Sequence, residues 1–394
     1  MLKSTFYRIR LRPYFRTVML ESLGIISFAL LGLLVIALLA QLHYFYRIFG
    51  KLAFYKPTPS YKNNLEPISV IIAARNEYKN LQKNLLSILE QDYPDFEVIV
   101  VNDCSWDESQ KFLEELQVQY KHLHVSQLIE QEKYPTGKKF AITIGVKAAK
   151  HELLVFTDAD CVPVSNKWLR HIQSRLEGGK EIVLGYSPYQ KQKGFLNLYI
   201  RFETFMTALF YLGMALKKSP FMGVGRNLAY RKELFFRNKG FANHQHIMSG
   251  DDDLFVNETA TKNNVAIEIH EDSFVYSEPK KDFSSWSRQK SRHMTTGKFY
   301  KPKDKLMLGI YYSSLILFYT AIAATLIVNI ETWPIVVIIF ALRFISQEII
   351  FYLAAKRLKC TSIVLALPLL DLLYLFYIVI YGARGLFTKN HREW

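Results

Sequence analysis

The stretch Leu153-Leu154-Val155-Phe156-Thr157-Asp158-Ala159-Asp160 decides the reading of this chain. Its apolar start has the length and side chains of a buried strand, and it runs into a turn carrying two carboxylates one residue apart. Carboxylates so placed can both reach a hard divalent cation, which is how Mg2+ or Mn2+ is held beside substrate phosphates. Asp is also a common turn residue, so a solvated turn accounts equally for Asp158 and Asp160 taken alone.

Working outward, Ile68 to Ala73 (ISVIIA) and Phe96 to Val101 (FEVIVV) repeat the strand signal. Helical patterns follow each, through Leu81, Leu85, Leu86 and Leu89 and then over Ser109 to Tyr120, and another covers Lys139 to Lys150. Strands alternating with helices predict an α/β domain whose mostly parallel sheet is covered on both faces. Ligands of such sheets sit beyond the carboxyl ends of the strands. The charged residues fall there: Arg75 and Glu77 after the first strand, Asn102 and Asp103 at the second, Asp158 and Asp160 after the third. Three clusters are therefore expected on one rim.

Two later segments add chemistry. Ser249-Gly250-Asp251-Asp252-Asp253-Leu254 gathers acids at a predicted helix start, where acids favour the helix dipole and where one carboxylate could serve as a general base. Ser287-Arg288-Gln289-Lys290-Ser291-Arg292-His293 reads as a basic helix at a membrane surface. Gln289 and Arg292, at i and i+3, share a face that could hold a diphosphate or an acceptor. Between these, Phe195 to Lys218 is apolar and aromatic but interrupted by Arg201 and Glu203, the pattern of a buried or interfacial helix and not of a span.

Half of the 394 residues are hydrophobic, and the apolar ones are concentrated at the two ends. Residues 22 to 42 (SLGIISFALLGLLVIALLAQL) carry no charge and match the ~20 residues that cross a bilayer. Three further membrane segments are expected near 306 to 328, 333 to 355 and 362 to 383, the middle one with Arg343, Gln347 and Glu348 turned away from lipid. The predicted organisation is a basic segment 1–21, a transmembrane helix 22–46, a working domain 66–300, three membrane segments over 306–383 and a tail 384–394. Much of the net charge of +15 flanks the apolar runs, at Lys3, Arg8 and Arg10, at Lys298 to Lys305 and at Lys356 to Lys359. Such flanks favour anionic membrane lipids, and with no recognition module beside them they exclude nucleic acid as the partner. The cysteines Cys104, Cys161 and Cys360 have neither metal-ligand nor disulfide-framework spacing.

Taken in order, these pieces resemble the inverting family 2 glycosyltransferases, among them the cellulose, chitin, hyaluronan and poly-N-acetylglucosamine synthases. The resemblance covers about residues 66 to 300 and implies a GT-A fold. It implies that Arg75 and Glu77 in Val70-Ile71-Ile72-Ala73-Ala74-Arg75-Asn76-Glu77 approach the nucleotide base, and that Asp103 binds the nucleoside. Lys138 and Lys139 of Thr136-Gly137-Lys138-Lys139 would lie near the donor, and Asp158 and Asp160 would hold metal and nucleotide. The segment Phe221 to Arg231, with Asn227, would line the sugar pocket. The family's base matches Asp251 or Asp252; standing three residues before Leu254, Asp251 is the closer match. The family's Gln-x-x-Arg-Trp motif reads Gln289-Lys290-Ser291-Arg292-His293, and histidine in place of tryptophan weakens a stacking platform associated with processive synthesis.

The resemblance implies a metal-dependent inverting hexosyltransferase that takes sugar from a nucleotide diphosphate donor, a UDP-sugar being favoured, to a lipid-linked or saccharide acceptor. The expected setting is a multi-pass protein of the inner (cytoplasmic) membrane, its catalytic domain on the cytoplasmic side and in possible complex with other glycan-synthesis proteins. Rival readings are a processive polysaccharide synthase, a partner-dependent or non-catalytic subunit of an export complex, and a transporter with a regulatory nucleotide domain.

Overall fold

The computed structural model describes residues 24–57, 65–130, 137–247 and 249–387. The basic segment 1–21, residues 58–64, Thr136 and residues 388–394 of the tail lie outside the described residues. The chain divides into two compact units, residues 1–47 with 306–351 and residues 48–305 with 352–394.

The second unit is built on a seven-stranded sheet. Its strands are β1 (Ile68–Ala74), β2 (Phe96–Asp103), β3 (Leu123–Leu128), β4 (Leu153–Phe156), β6 (Ile182–Gly185), β7 (Leu228–Arg231) and β8 (Val265–Glu268). A separate two-stranded ribbon joins β5 (Cys161–Pro163) to β9 (Val275–Ser277). The strand order is β3-β2-β1-β4-β7-β6-β8. Strands β1 to β4 pair in parallel, β7 runs antiparallel to β4 and β6, and β8 is parallel to β6. Only β7 is reversed, so the mixed, mostly parallel α/β sheet expected from the sequence is present.

The sequence distributes the layers. Alternate residues of β1, Ile68, Val70, Ile72 and Ala74, enter a core with Leu81, Leu85 and Ile88 of the Tyr78–Leu89 helix and Leu113 of the Ser109–Gln119 helix. Each of these valine, leucine and isoleucine side chains contributes on the order of 1.5–3 kcal/mol when taken from water. On the other face the Lys138–Ala148 helix approaches so closely that a Cβ on Gly145 would stand 2.6 Å from Ile71 Cγ2. Glycine sets that spacing. The helix starts at Lys138, one residue before its expected start, because Gly137 takes a φ of 131° at the cap.

Among the described residues, four helices are long and apolar enough to cross a membrane: Gly24–Ala53, Pro302–Val328, Ile330–Arg357 and Thr361–Gly385. The first unit takes most of the first three. Leu34, Ala37 and Leu38 pack there with Phe318, Ala321, Val336 and Ile339. Arg343, buried in this bundle, donates to the side-chain oxygens of Gln41 (3.1 Å) and Gln347 (3.0 Å). The fourth, last of the three closing segments, belongs to the unit of the sheet. The Phe283–Met294 helix explains this: its Trp286 ring lies 6.0 Å from Tyr377 and 5.5 Å from Tyr381. The predicted buried helix is Phe195–Leu216, and Glu203 is buried in it.

Candidate functional site

The site forms where β1, β2 and β4 end, because parallel strands deliver their carboxyl ends to one rim. After β1, Asn76 takes a φ of 55°; its backbone N–H donates to Ser105 Oγ (2.8 Å) and its Oδ1 accepts from Trp106 N–H (3.0 Å), tying the β1 turn to the β2 turn. Glu77 follows, with Oε2 accepting from the Asn80 amide. Burial, and then the charges of Asp160 and Asp158, raise the Glu77 pKa above its ordinary value. At the end of β2, Asp103 is buried and its Oδ2 accepts from Gly137 N–H (3.2 Å), which joins the second strand to the lysine-bearing helix.

Asp158 and Asp160 follow β4. Nζ of Lys138 lies 2.9 Å from Asp158 Oδ1 and 3.2 Å from Asp251 Oδ2. Burial opposes ionisation of Asp158, but the charges of Lys138, Arg226 and Arg292 outweigh it and hold the carboxyl below its ordinary pKa. The same acids, led by Asp158, overcome burial at Lys138 and keep it firmly charged. Asp160 is raised instead, by burial and by the Asp158 charge. Its oxygens accept from Cys161 Sγ (3.2 Å) and from the Ser277 hydroxyl of β9 (3.3 Å). The two carboxylates supply oxygen donors that fit Mg2+ or Mn2+, with the buried Cys161 thiol beside them.

The three acids of the 249–254 segment divide sharply. Asp253 accepts from Leu254 N–H (2.8 Å), from the Tyr300 hydroxyl (2.7 Å) and from Thr296, so it is consumed inside the protein. Asp252 caps the Asp253–Thr259 helix: Oδ1 accepts from Asp253 N–H and Oδ2 from Gly225 N–H, both at 2.7 Å. Burial and the flanking charges of Asp251 and Asp253 push it up to about 7. Asp251 makes no such bond. Its carboxylate, with a side-chain exposure of 9 %, faces the Lys138 ammonium in a cleft also lined by Asp158 and Gly225.

Other expected positions are placed as follows. Lys139, next to Lys138, turns the other way: its buried Nζ donates to the carbonyls of His244 (2.6 Å) and Ile247 (2.9 Å). Burial lowers it to about 8. Asn227 is fully buried; its Oδ1 accepts from Trp168 Nε1 (3.0 Å) and its Nδ2 donates to the carbonyls of Tyr186 and Ser273 (both 2.9 Å). Both side chains are therefore engaged within the fold, where the resemblance implied donor and sugar contacts. Gln289 and Arg292 stand on the Phe283–Met294 helix, and Arg292 acts electrostatically on Asp158. His293 feels the charges of Lys138 and Arg226, so this helix end adjoins the cleft. Arg75 stands where β1 leaves the sheet.

Arg226 was not singled out from the sequence. Its guanidinium packs over the Tyr189 ring (4.3 Å to the centroid), donates to Ser187 O (3.2 Å) and lies in the field of Asp158 and Asp160. The signal was its place in Gly-Arg-Asn, a short turn immediately before β7.

Residues 69–236 match the description "Glycosyl transferase family 2". The chain therefore carries a family 2 glycosyltransferase domain. It is 32% identical over 130 residues to Glycosyltransferase AglE of Haloferax volcanii, covering 32% of this chain and 41% of that protein. It is 30% identical over 128 residues to the Poly-beta-1,6-N-acetyl-D-glucosamine synthase of Staphylococcus epidermidis, covering 32% of this chain and 29% of that one. These alignments span less than half the length of either relative. The fold is similar to that of the mannosyltransferase PcManGT from Pyrobaculum calidifontis in complex with GDP-Man and Mn2+, with a TM-score of 0.55, 20% identity and coverage of 89% of this chain and 99% of that one. The fold is thus of the GT-A kind.

Proposed function

We propose that this chain is a membrane-embedded inverting glycosyltransferase that moves a sugar from a nucleotide diphosphate donor to a lipid-linked or saccharide acceptor, with Asp251 as general base. One observation carries the reading: a single ammonium, that of Lys138, stands between Asp158 of the Asp-x-Asp turn and Asp251. Donor-binding acid and candidate base thus face one space.

In this reading Asp103 and Glu77 receive the nucleoside at the ends of β2 and β1. Asp251 takes the proton of the acceptor hydroxyl, and the freed oxygen attacks the anomeric carbon opposite the departing diphosphate. The bond to the diphosphate breaks with its electron pair on the leaving oxygen. Lys138, Arg226 and Arg292 surround the place where that charge develops, and fixed cations in a water-poor cleft stabilise it well. Asp158 and Asp160 would hold the divalent cation, Mg2+ or Mn2+, that supplies neutralisation of the diphosphate when bound. Asp251 is preferred to Asp252 because both Asp252 oxygens already accept backbone hydrogen bonds.

Single addition fits the Gln289-Lys290-Ser291-Arg292-His293 sequence, where His293 replaces the stacking tryptophan of processive enzymes. The spanning-length helices favour a lipid-anchored acceptor at the cytoplasmic face of the inner membrane, and UDP-sugars are the first donors to try. The experiment is nucleoside diphosphate release by purified, detergent-solubilised protein over a panel of nucleotide sugars with Mg2+ or Mn2+. Asp251→Asn should lower turnover by about 10²–10⁴-fold with donor affinity unchanged. Full turnover in that variant would remove Asp251 from the base's role.

A further inference from the structure

The Lys138–Ala148 helix opens against the usual charge preference. Its first turn carries two lysines and no acid, at the end where the helix dipole is positive and acids are favoured. Lys138 is accounted for by the acids it meets, Asp158 and Asp251. Lys139 meets none so closely, and its side chain is buried. An apolar residue of similar length would fill that space without the cost of taking a charge out of water. The ammonium therefore does something an apolar side chain could not.

Its bonds show what that is. Nζ of Lys139 donates to His244 O (2.6 Å), to Ile247 O (2.9 Å) and to Nδ1 of His244 (2.8 Å). An ammonium has three hydrogens, and each of them has an acceptor here. Burial works against the charge while Asp251, Asp253, Glu258 and Asp252 work for it, which leaves the group protonated below about pH 8. Nδ1 can accept only from a neutral ring with its proton on Nε2, and that nitrogen lies 3.6 Å from Glu258 Oε2. Burial and the Lys139 charge favour the neutral ring, pushing the His244 pKa down to about 4. Hydrogen bonds from a charged donor are among the strong ones.

The carbonyls so held lead directly to Asp251. His244 closes the short turn Ala242–His244, and Ile247 stands four residues before Asp251. The described residues between Ile247 and Asp251 belong to no helix or strand, so no ladder fixes this stretch. At its far end Gly250, with a φ of 96°, turns the chain into Asp251, whose carboxylate faces Lys138 at 3.2 Å. Successive residues of a helix point about 100° apart. One helical turn thus sends Lys138 to the acid and Lys139 to the backbone that precedes it.

We propose that Lys139 is a positioning residue: its ammonium clamps His244 and Ile247 to the first turn of the Lys138–Ala148 helix, so that Asp251 is held in register with Lys138. Its effect on turnover rests on Asp251 being the general base, whereas the clamp itself does not. With the clamp removed, the 244–251 segment gains freedom and Asp251 spends less time where an acceptor hydroxyl would meet it. Donor binding through Glu77, Asp103 and Asp158 uses other elements and is retained.

The test is amide hydrogen exchange of the ligand-free, full-length protein over residues 244–251, beside donor affinity and turnover of the same proteins with Mn2+. Lys139→Met should lower protection of that segment at least about tenfold while β1 and β4 keep theirs. Turnover should fall roughly 10- to 100-fold with the donor dissociation constant within about twofold. His244→Phe removes Nδ1 but keeps the carbonyl, so it should cause a smaller loss of protection in the same segment, and it decides the matter alone if Lys139→Met does not fold. A segment unprotected in the parent, protection unchanged in the variants, or full turnover in a loosened Lys139→Met protein overturns the proposal. If the parent processes no donor while Lys139→Met still loosens the segment, the clamp stands and the glycosyl-transfer reading is the one that fails.

Discussion

Lys138 and Asp158 form an ion pair of 2.9 Å, and the same ammonium lies 3.2 Å from Asp251 on its other side. One lysine thus neutralises both the acid placed by β4 and the acid placed before the Asp253–Thr259 helix. Replacing it would leave two partly buried carboxylates facing each other.

Lys138→Met should therefore weaken donor binding. A hydrogen bond to a charged group contributes about 1.5–3 kcal/mol, which corresponds to a dissociation constant raised roughly 10- to 100-fold. Lys138→Arg should not restore it, since a planar guanidinium cannot replace a point charge held between two acids. Calorimetric titration with the donor and Mn2+ measures this. An unchanged dissociation constant in Lys138→Met would mean that the ammonium serves only the free protein.

Asp252 gives a pH signature. Burial, Asp251 and Asp253 raise its folded pKa from 3.8 to about 7. The folded protein then binds a proton that the unfolded chain releases near pH 4, so this group's contribution is full below about pH 4 and is lost as pH rises to about 7. Without divalent cation, the thermal midpoint should fall over that window. Asp251→Asn removes the second-largest cause and should move the fall to lower pH. Midpoints measured from pH 4 to 8 for both proteins decide it; superimposable profiles would contradict this origin.

Much of this site was legible in the sequence because carboxyl ends of parallel strands share a rim. Glu77, Asp103 and Asp158 could be placed together from three apolar runs and their following turns. What escaped detection was set by tertiary packing. β3 is a half-exposed edge strand without a continuous apolar run, and β5 to β9 are three or four residues each, too short to show a period. Lys138 and Lys139 are neighbours in sequence with one composition, yet helix geometry turns one toward the acids and the other toward the His244–Ile247 carbonyls. Arg226 reads as an ordinary turn residue until β7 carries it beside Asp158 and Asp160.

Asn227 illustrates the same limit and is testable. Its amide satisfies Trp168 Nε1 and two buried carbonyls, and it fills the space beside Gly185, where a Cβ would stand 2.3 Å from its Cγ. Asn227→Ala removes the partner of Trp168 Nε1 and Ser273 O, at about 1–3 kcal/mol each, while Tyr186 O keeps the Val275 N–H (3.4 Å). The thermal midpoint should drop by at least about 5 °C. Donor affinity of the folded fraction should stay within about twofold; a large loss of affinity in a protein of unchanged stability would return Asn227 to the sugar pocket.

Lys290, between Gln289 and Arg292, shows how their helix is held. Its buried Nζ pairs with Oε2 of Glu203 on the Phe195–Leu216 helix, whose Oε1 receives the Tyr377 hydroxyl at 3.4 Å. The pair joins the Phe283–Met294 helix to two apolar helices of the same unit, with Trp286 packed against Tyr199 and Tyr381. Removing one charge strands the other in the interior, which costs about 3–5 kcal/mol. Glu203→Gln should therefore lower stability more than the double variant Glu203→Gln/Lys290→Met, because the double change leaves no unpaired charge. If the pair also orients Gln289 and Arg292, the single variant will lose turnover and the double variant will not regain all of it, since an apolar contact fixes the helix less sharply than an ion pair. Denaturant midpoints and turnover of the three proteins separate these effects. Equal stability in the single and double variants would show that the Glu203–Lys290 pair does not hold the helix.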